Sequence, residues 1–175
     1  MSPFSAVRFR GTWRPYQARV LAALDAHLTD DRVHLVAPPG SGKTLLGLET
    51  VIRMERPALV LAPTLALRDQ WLDRFGTLFD GDLRTSADPE APGDLTVATY
   101  QGLHVAARDR LDGLLARLTE AGVGTLVVDE AHHLRNAWWR SLRAVREGLV
   151  AARVRTDGAP PMVERVRRWS APRGG

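Results

Sequence analysis

Apolar and polar positions along the chain alternate between short continuous apolar runs and longer segments with apolar residues at helical spacing. The apolar runs predict strands at residues 32–37, 58–62, 95–100 and 125–130. The helical spacing predicts helices at 14–28, 43–54, 64–79, from 101 through 121, and at 133–149. Apolar strands separated by helices are typical of a parallel sheet covered on both faces. We therefore expect an α/β fold in which a parallel sheet lies between two layers of helices.

Length and composition fit one ordinary domain. The chain has 175 residues, of which 45% are apolar, enough for a packed core. Residues 80–94 are polar and turn-rich, and we interpret them mostly as loop. No run approaches the ~18 apolar residues of a membrane span, and the N-terminus does not resemble a secretory signal. The absence of cysteine excludes disulfides and thiolate metal sites. We expect a soluble, cytoplasmic protein without a membrane partner.

The positive charge of the chain is concentrated at its C-terminal end. The net charge is +4, and residues 151–175 alone carry six arginines against Asp157 and Glu164, so the first 150 residues are neutral overall. The basicity therefore says little about what the core binds. Lys43 is the single lysine, which makes it conspicuous among 23 arginines.

The segment "APPGSGKT" (37–44) follows a predicted strand and opens a predicted helix. Gly40 and Gly42 would give the backbone the freedom to approach a phosphate closely, and the helix start supplies free N–H groups. Lys43 would reach the β- and γ-phosphates of a nucleotide, and the Thr44 hydroxyl would ligate Mg²⁺. Pro39 and Ser41 complete the predicted cradle. The pattern G-x-x-x-x-G-K-[ST] has a glycine where this chain has Ala37.

The segment "TLVVDEAHHL" (125–134) places two carboxylates and two imidazoles directly after a strand. A transition-metal site is the obvious alternative, but on a helix the adjacent rings of His132 and His133 would diverge by about 100°. Beside a phosphate cradle, Asp129 would hold Mg²⁺, and Glu130 would orient and deprotonate the attacking water. His132 would sense the γ-phosphate, whereas His133 has an equally good interpretation as a solvated residue.

Five segments stand in the order of a known family. They are "RPYQ" (14–17), "APPGSGKT" (37–44), "LAPTLALRDQW" (61–71), "VATYQGL" (97–103) and "DEAH" (129–132). From about Trp13 to about Leu149 the chain resembles the first RecA-like domain of superfamily 2 helicases and translocases of the DEAD/DEAH (DExH) type. The resemblance implies a RecA-like P-loop fold in three layers, with ATP and Mg²⁺ as cofactors and nucleic acid as a partner.

The segment "RPYQ" resembles the adenine-reading motif of this family. The amide of Gln17 can both accept from and donate to the adenine edge. Arg14 or Tyr16 could cover the face of the ring by stacking. The alternative is that these are ordinary residues of the first helical turn.

The resemblance also implies contacts with a nucleic-acid backbone. Thr64 follows a strand and is a good N-cap, so the helix start after it could bind a backbone phosphate, with Arg68 beside it. The segment Thr99, Tyr100 and Gln101 occupies the equivalent place after the next strand. Weak likeness to double-strand DNA translocases and restriction-type motors favours DNA over RNA. A purely structural cap remains the alternative for Thr64. Trp71, Trp138 and Trp139 are interpreted as core or interface aromatics, and one of the adjacent pair is expected to be exposed.

The resemblance fails after the last predicted helix. The family has a further strand ending in Ser/Thr-Ala-Thr; "AARVR" (151–155) could begin it, but that motif does not follow. We therefore expect a lead-in at 1–13, an ATP-binding domain at 14–155 and a basic, disordered tail at 156–175. We also expect that a second RecA-like domain, with its arginine finger, is missing from this sequence and would be needed in cis or in trans. Two interpretations stay open: a truncated or frameshifted product, or a genuine single-domain protein with a partner.

Three classes of function compete. The preferred one is the ATP-binding half of an ATP-dependent helicase or translocase. The second is a non-catalytic nucleotide-binding module that regulates a partner. The third, a small-molecule kinase, needs an acceptor-binding lid that the sequence does not supply.

Overall fold

The computed structural model describes residues 2–29 and 40–157. The predicted strand 32–37, Pro39 and residues 158–175 of the predicted tail therefore lie outside the described residues. The α helices are α1 (Pro15–Asp25), α2 (Lys43–Met54), α3 (Leu65–Leu78), α4 (Tyr100–Glu120) and α5 (Asn136–Asp157). The strands are β1 (Arg8–Phe9), β2 (Ala58–Ala62), β3 (Phe79–Asp80), β4 (Thr85–Ser86), β5 (Leu95–Thr99) and β6 (Thr125–Val128). Short 3-10 turns lie at Pro3–Ala6 and Ala131–His133.

Four of the described strands form a parallel sheet in the order β4-β5-β2-β6. Ala62 pairs with Thr99, and Leu61 pairs with Val128, so β5, β2 and β6 end side by side. In such sheets the carboxyl ends of the strands form the usual ligand-binding edge. Everything that follows Ala62, Thr99 or Val128 in sequence therefore begins at one edge of the molecule.

The two faces of the sheet bury different helices, because successive side chains of a strand point to opposite sides. On one face, Val60 and Val97 pack in a core with Leu48 of α2 and with Trp71 and Phe75 of α3. On the other face, the buried side chains come from β2, α4 and α5, and they include Leu59, Leu61, Leu103, Leu114 and Val145. Helix α1 packs outside α2. This arrangement confirms the predicted α/β fold with a parallel sheet between helical layers.

Most of the predicted elements lie where the pattern placed them. Helix α2 and strand β2 have the predicted bounds, and residues 80–94 are mostly loop, as expected. The first helix ends at Asp25, earlier than predicted. Helix α4 contains a kink at Arg110, whose backbone angles (φ −147, ψ 48) are not helical.

The strand that "AARVR" could have begun is not formed. Residues 151–157 continue α5 as a helix. Alanine and arginine are good helix formers, so the local preference does not oppose the extension. Ala152 is buried, and Gly148 packs closely against Leu115 of α4. The end of α5 is therefore held by packing between helices rather than by strand pairing.

The segment before α1 belongs to the core. Phe4 and Val7 are almost fully buried against α2 and β3, and β1 pairs with β3 in a short antiparallel ribbon. A boundary near residue 13 therefore separates residues that the fold packs together. Within residues 2–29 and 40–157, none of the helices is both long enough and apolar enough to cross a membrane.

Candidate functional site

The start of α2 forms a tight loop at the carboxyl edge of the sheet. Gly40 and Gly42 both have left-handed backbone angles (φ 76 and 84), which L-residues with a side chain rarely adopt. Gly42 is the N-cap of α2, and a Cβ there would lie 2.8 Å from Nε2 of Gln17. Lys43 and Thr44 follow as the first two residues of α2. The loop thus has the backbone that the phosphate cradle requires.

The residues present suit a nucleotide with Mg²⁺. The first turn of α2 offers free N–H groups, which favour bound anions. The buried Ser41 Oγ and Tyr16 Oη have no hydrogen-bond partner within the described part of the chain, so both keep unused hydrogen-bonding capacity. The Thr44 hydroxyl and the Asp129 carboxylate lie at this same edge, and they are the hard oxygen ligands that Mg²⁺ prefers.

Lys43 and Glu130 meet across this edge, as predicted. Lys43 Nζ lies 3.9 Å from Glu130 Oε1, and both side chains are partly exposed. Glu130 has a left-handed backbone conformation (φ 51), which is unusual for a residue with a side chain and turns the chain sharply after β6. The Oε2 atom of Glu130 lies 3.3 Å from Nδ1 of His132. A cation, a carboxylate and an imidazole are therefore assembled beside the loop.

Asp129 is held by three separate elements. Its backbone N–H donates to the carbonyl of Leu61 in β2 (2.9 Å). The indole N–H of Trp71 donates to its Oδ2 atom (2.9 Å), and the hydroxyl of Tyr100 donates to its carbonyl oxygen. The Asp129 carboxylate is thereby fixed in orientation, with Oδ2 already accepting one hydrogen bond.

Trp71 reaches Asp129 because α2 has no side chain in its path. The ring is 2% exposed and lies directly against Gly47. A Cβ at position 47 would be 2.3 Å from Cη2 of Trp71, far closer than two non-bonded carbon atoms approach in a packed core. The absence of a side chain at Gly47 therefore makes the contact between Trp71 and Asp129 possible.

Gly47→Ala is expected to destabilise the protein by about 1–3 kcal/mol, because the methyl group overpacks a buried ring. In an exposed helix the same change would stabilise by up to ~1 kcal/mol through helix propensity. Gly113→Ala in α4 is the matched control, since a Cβ there meets nothing within 4 Å. Urea denaturation should show opposite signs for the two variants. Equal stabilisation of both would contradict the packing of Trp71 on α2.

Gln17 has partners that the sequence analysis missed. The side chain is 4% exposed. Its Oε1 accepts from the backbone N–H of Arg14 (3.1 Å), and its Nε2 donates to the carbonyl of Ser41 (3.1 Å). The amide thus ties the first turn of α1 to the phosphate-loop segment. Arg14 is exposed and Tyr16 is partly buried beside it.

The expectation that His132 and His133 diverge is wrong. They lie in a 3-10 turn rather than an α helix, and their ring centroids are 4.2 Å apart. The ligand atoms of Glu130 and both histidines lie within 4.8 Å of one another. A transition-metal ion at this point would nevertheless stand close to the Lys43 ammonium, whose repulsion opposes it.

The residues predicted to contact nucleic acid differ in their exposure and in the bonds that they make. Thr64 and Thr99 are N-caps of α3 and α4, and their hydroxyls accept from the backbone N–H groups of Leu67 (3.2 Å) and Gly102 (2.9 Å). Thr64 and Gln101 are exposed. Arg68 is partly buried and pairs with the neighbouring Asp69 at 2.7 Å. These positions lie along the edge that also carries Lys43.

Tyr100 differs from the other residues of this set because its side chain is buried. Its side chain is 1% exposed and its hydroxyl is bonded to the Asp129 carbonyl, so the predicted contact with nucleic acid would have to use its backbone at the start of α4. Burial, together with the negative charges of Asp129 and Glu130, raises the pKa of Tyr100 well above its usual value. The hydroxyl therefore stays protonated and remains a donor.

Trp138 and Trp139 lie as expected. Trp138 stacks near Tyr100 with ring centroids 6.1 Å apart, and the Arg135 guanidinium lies 5.0 Å from the Trp138 ring centroid. Trp139 is 53% exposed. The helical turn between neighbours sends the two rings in different directions, which confirms the predicted exposure of one of them.

The chain is similar to proteins of a known family and to several helicases and translocases. The family described as "Type III restriction enzyme, res subunit" matches residues 10–152. The chain is 30% identical over 165 residues to the DNA 3'-5' translocase XPB2 of Sulfurisphaera tokodaii; the match covers 89% of this chain and 34% of that protein.

Two eukaryotic relatives are more distant. The XPB2 helicase/translocase subunit of general transcription and DNA repair factor IIH in Arabidopsis thaliana is 24% identical over 159 residues, with 82% of this chain and 21% of that protein covered. The corresponding XPB subunit of Dictyostelium discoideum is 25% identical over 159 residues, with 82% and 20% covered. The chain thus spans about a third or less of the length of these relatives.

Proposed function

Because the chain belongs to the family of the type III restriction enzyme res subunit, we propose that it forms the ATP-binding half of an ATP-dependent DNA translocase or helicase. The convergence of Lys43, Asp129 and Glu130 beside a loop with two left-handed glycines carries this proposal. The relatives named as DNA translocases support DNA over RNA as the partner.

The phosphate-binding part would be built from the loop and α2. Backbone N–H groups after Gly40 and Gly42 would receive the phosphates, and Lys43 would supply the positive charge opposite the β- and γ-phosphates. Gln17 bonds to Ser41 of this loop, and together with Tyr16 and Arg14 from the start of α1 it would form the adenine end. The Gln17 amide retains one N–H and one lone pair for the base, because each end makes one bond inside the protein.

Hydrolysis would depend on the segment after β6. Mg²⁺, held by Thr44 and Asp129, would neutralise charge on the phosphate oxygens. Glu130 would accept the proton of the attacking water, and its Oε1 lies 3.9 Å from Lys43 Nζ, the cation proposed to face the phosphates. His132, within reach of the same carboxylate, would respond to the presence of the γ-phosphate.

Nucleic acid would lie along the neighbouring part of this edge. The N-termini of α3 and α4 are capped by Thr64 and Thr99. The N–H groups at such helix starts can bind the phosphates of a nucleic-acid backbone. Contacts of this kind read no sequence, as a motor moving along DNA requires. Gln101 and Arg68 would add side-chain contacts, the latter after leaving Asp69.

The test is direct binding by the purified chain. A fluorescent ATP analogue should bind in the presence of Mg²⁺, and a labelled DNA duplex should bind with an affinity that falls steeply with salt. Thr64→Val should weaken DNA binding, whereas Thr77→Val in the same helix should not. A chain that binds DNA but no nucleotide, or nucleotide but neither DNA nor RNA, would refute the proposal. Nucleotide binding without turnover under any DNA condition would favour a regulatory module.

A further inference from the structure

The two helices that begin at the nucleic-acid edge each send one aromatic side chain to Asp129. Trp71 lies two turns into α3, and its indole N–H donates to Asp129 Oδ2 at 2.9 Å. Tyr100 is the first residue of α4, and its hydroxyl donates to the Asp129 carbonyl. The same residue is the proposed metal-binding carboxylate.

The Trp71 contact is fixed by its surroundings. The ring is buried in the core between the sheet, α2 and α3, and Gly47 provides the space in which it lies. A buried indole N–H that loses its acceptor is costly, because no water replaces the bond. Any shift of α3 must therefore either carry the Asp129 carboxylate with it or break this hydrogen bond.

The contact also acts on the carboxylate itself. A hydrogen bond to Oδ2 fixes the rotation of the carboxylate, and Oδ1, which accepts no hydrogen bond from residues 2–29 or 40–157, can face a cation. Residues that orient a metal-binding carboxylate in this way typically contribute about 10–100-fold to metal affinity. If Trp71 only filled space in the core, its ring would not need a hydrogen bond to Asp129. The orientation of the Asp129 carboxylate would then not depend on the position of α3.

We propose that Trp71 is a positioning residue that couples occupancy of the α3 N-terminus by DNA to the Mg²⁺-binding geometry of Asp129. The inference rests on the proposed function. Trp71 is seven residues after Thr64, which corresponds to about 10 Å along a helix. Helix α3 thus transmits a small displacement at its N-cap to the indole N–H. Tyr100 performs the parallel task for α4 through the Asp129 backbone.

Trp71→Phe keeps a buried aromatic ring and removes the N–H donor. Binding of the fluorescent ATP analogue should need roughly tenfold more Mg²⁺ for half-saturation. In the wild-type chain, DNA should change the affinity for Mg·ATP by about fivefold or more. In Trp71→Phe, the ratio of the affinities with and without DNA should fall close to one. DNA affinity without nucleotide should stay within about twofold, because the substitution leaves the α3 N-cap in place. Trp139→Phe, which alters an exposed ring, is the matched control and should keep the wild-type ratio.

The indole N–H signals of the wild-type chain provide a readout that does not depend on the variant's stability. In an NMR spectrum of ¹⁵N-tryptophan protein, the Trp71 signal can be assigned by elimination with Phe variants at the four other tryptophans. It should shift on addition of Mg·ATP and shift again on addition of DNA. A Trp71 signal that responds to neither ligand overturns the inference.

The outcomes separate the two proposals. If the wild-type chain binds neither Mg·ATP nor DNA, the proposed function fails. If it binds both, but Trp71→Phe retains the Mg²⁺ requirement and the DNA ratio of the wild type, only the role of Trp71 is refuted. A higher Mg²⁺ requirement and a DNA ratio close to one in Trp71→Phe, with an unchanged DNA affinity, support the coupling.

Discussion

Lys43→Ala is expected to lower the affinity for Mg·ATP by about 10–100-fold. A hydrogen bond from a charged donor contributes about 1.5–3 kcal/mol, and 1.4 kcal/mol corresponds to a factor of ten. The variant also leaves the Glu130 carboxylate without its counter-charge next to the phosphates, which adds repulsion. Titration of a fluorescent ATP analogue at fixed Mg²⁺ measures the change.

Arg117→Ala is the matched control for this loss. Arg117 is a cation of similar exposure to Lys43, and it pairs with Glu90 at 2.9 Å near the opposite end of α4 from Tyr100. It should leave ATP affinity unchanged. An equal loss in both variants would indicate a general effect of net charge, and an unchanged affinity in Lys43→Ala would refute the phosphate-binding role.

With a second RecA-like domain supplied in trans, Glu130→Gln is expected to reduce DNA-stimulated ATP turnover by about 10²–10⁴-fold, the range that general-base catalysis supplies. Binding should be kept or should become tighter, because the change preserves shape and removes a negative charge 3.9 Å from Lys43. Phosphate release with duplex DNA present measures turnover, and the analogue titration measures binding.

Glu90→Gln removes a carboxylate of comparable exposure and should change neither quantity. The critical point is that Lys43→Ala should weaken ATP binding, whereas Glu130→Gln should not. A Glu130→Gln variant that binds ATP as weakly as Lys43→Ala would mean that Glu130 organises the site rather than accepting a proton.

The central elements of the fold were predictable because their sequence pattern reports their burial. Strand β2 is buried on both faces, and its five apolar residues form an uninterrupted run. Strand β4 shows the opposite case: it has two residues, Thr85 and Ser86, at the sheet edge, and so short a strand leaves no pattern. The ordered motifs identified the family correctly, since the match extends over residues 10–152.

The contacts within the candidate site were less accessible from sequence. The position of Trp71 depends on Gly47 in α2 and on Asp129 after β6, and nothing local to Trp71 reveals either. The burial of Tyr100 was hidden for the same reason. The orientation of the two histidines follows from the left-handed conformation of Glu130, which is not evident from residue type. For Gln17 a signal was available: its place three residues after the N-cap Arg14 is the spacing of a capping box.

The single lysine makes this site chemically addressable. Lys43 carries the only side-chain amine in the 175 residues, and its side chain is 40% exposed beside the loop. Amine-directed acylating reagents that leave arginine untouched would therefore modify the side chains at one position. A nucleotide over the loop would shield that amine, so the extent of acylation reports occupancy without a fluorescent ligand. A lysine-specific protease would likewise have one cleavage point, at the junction of loop and helix.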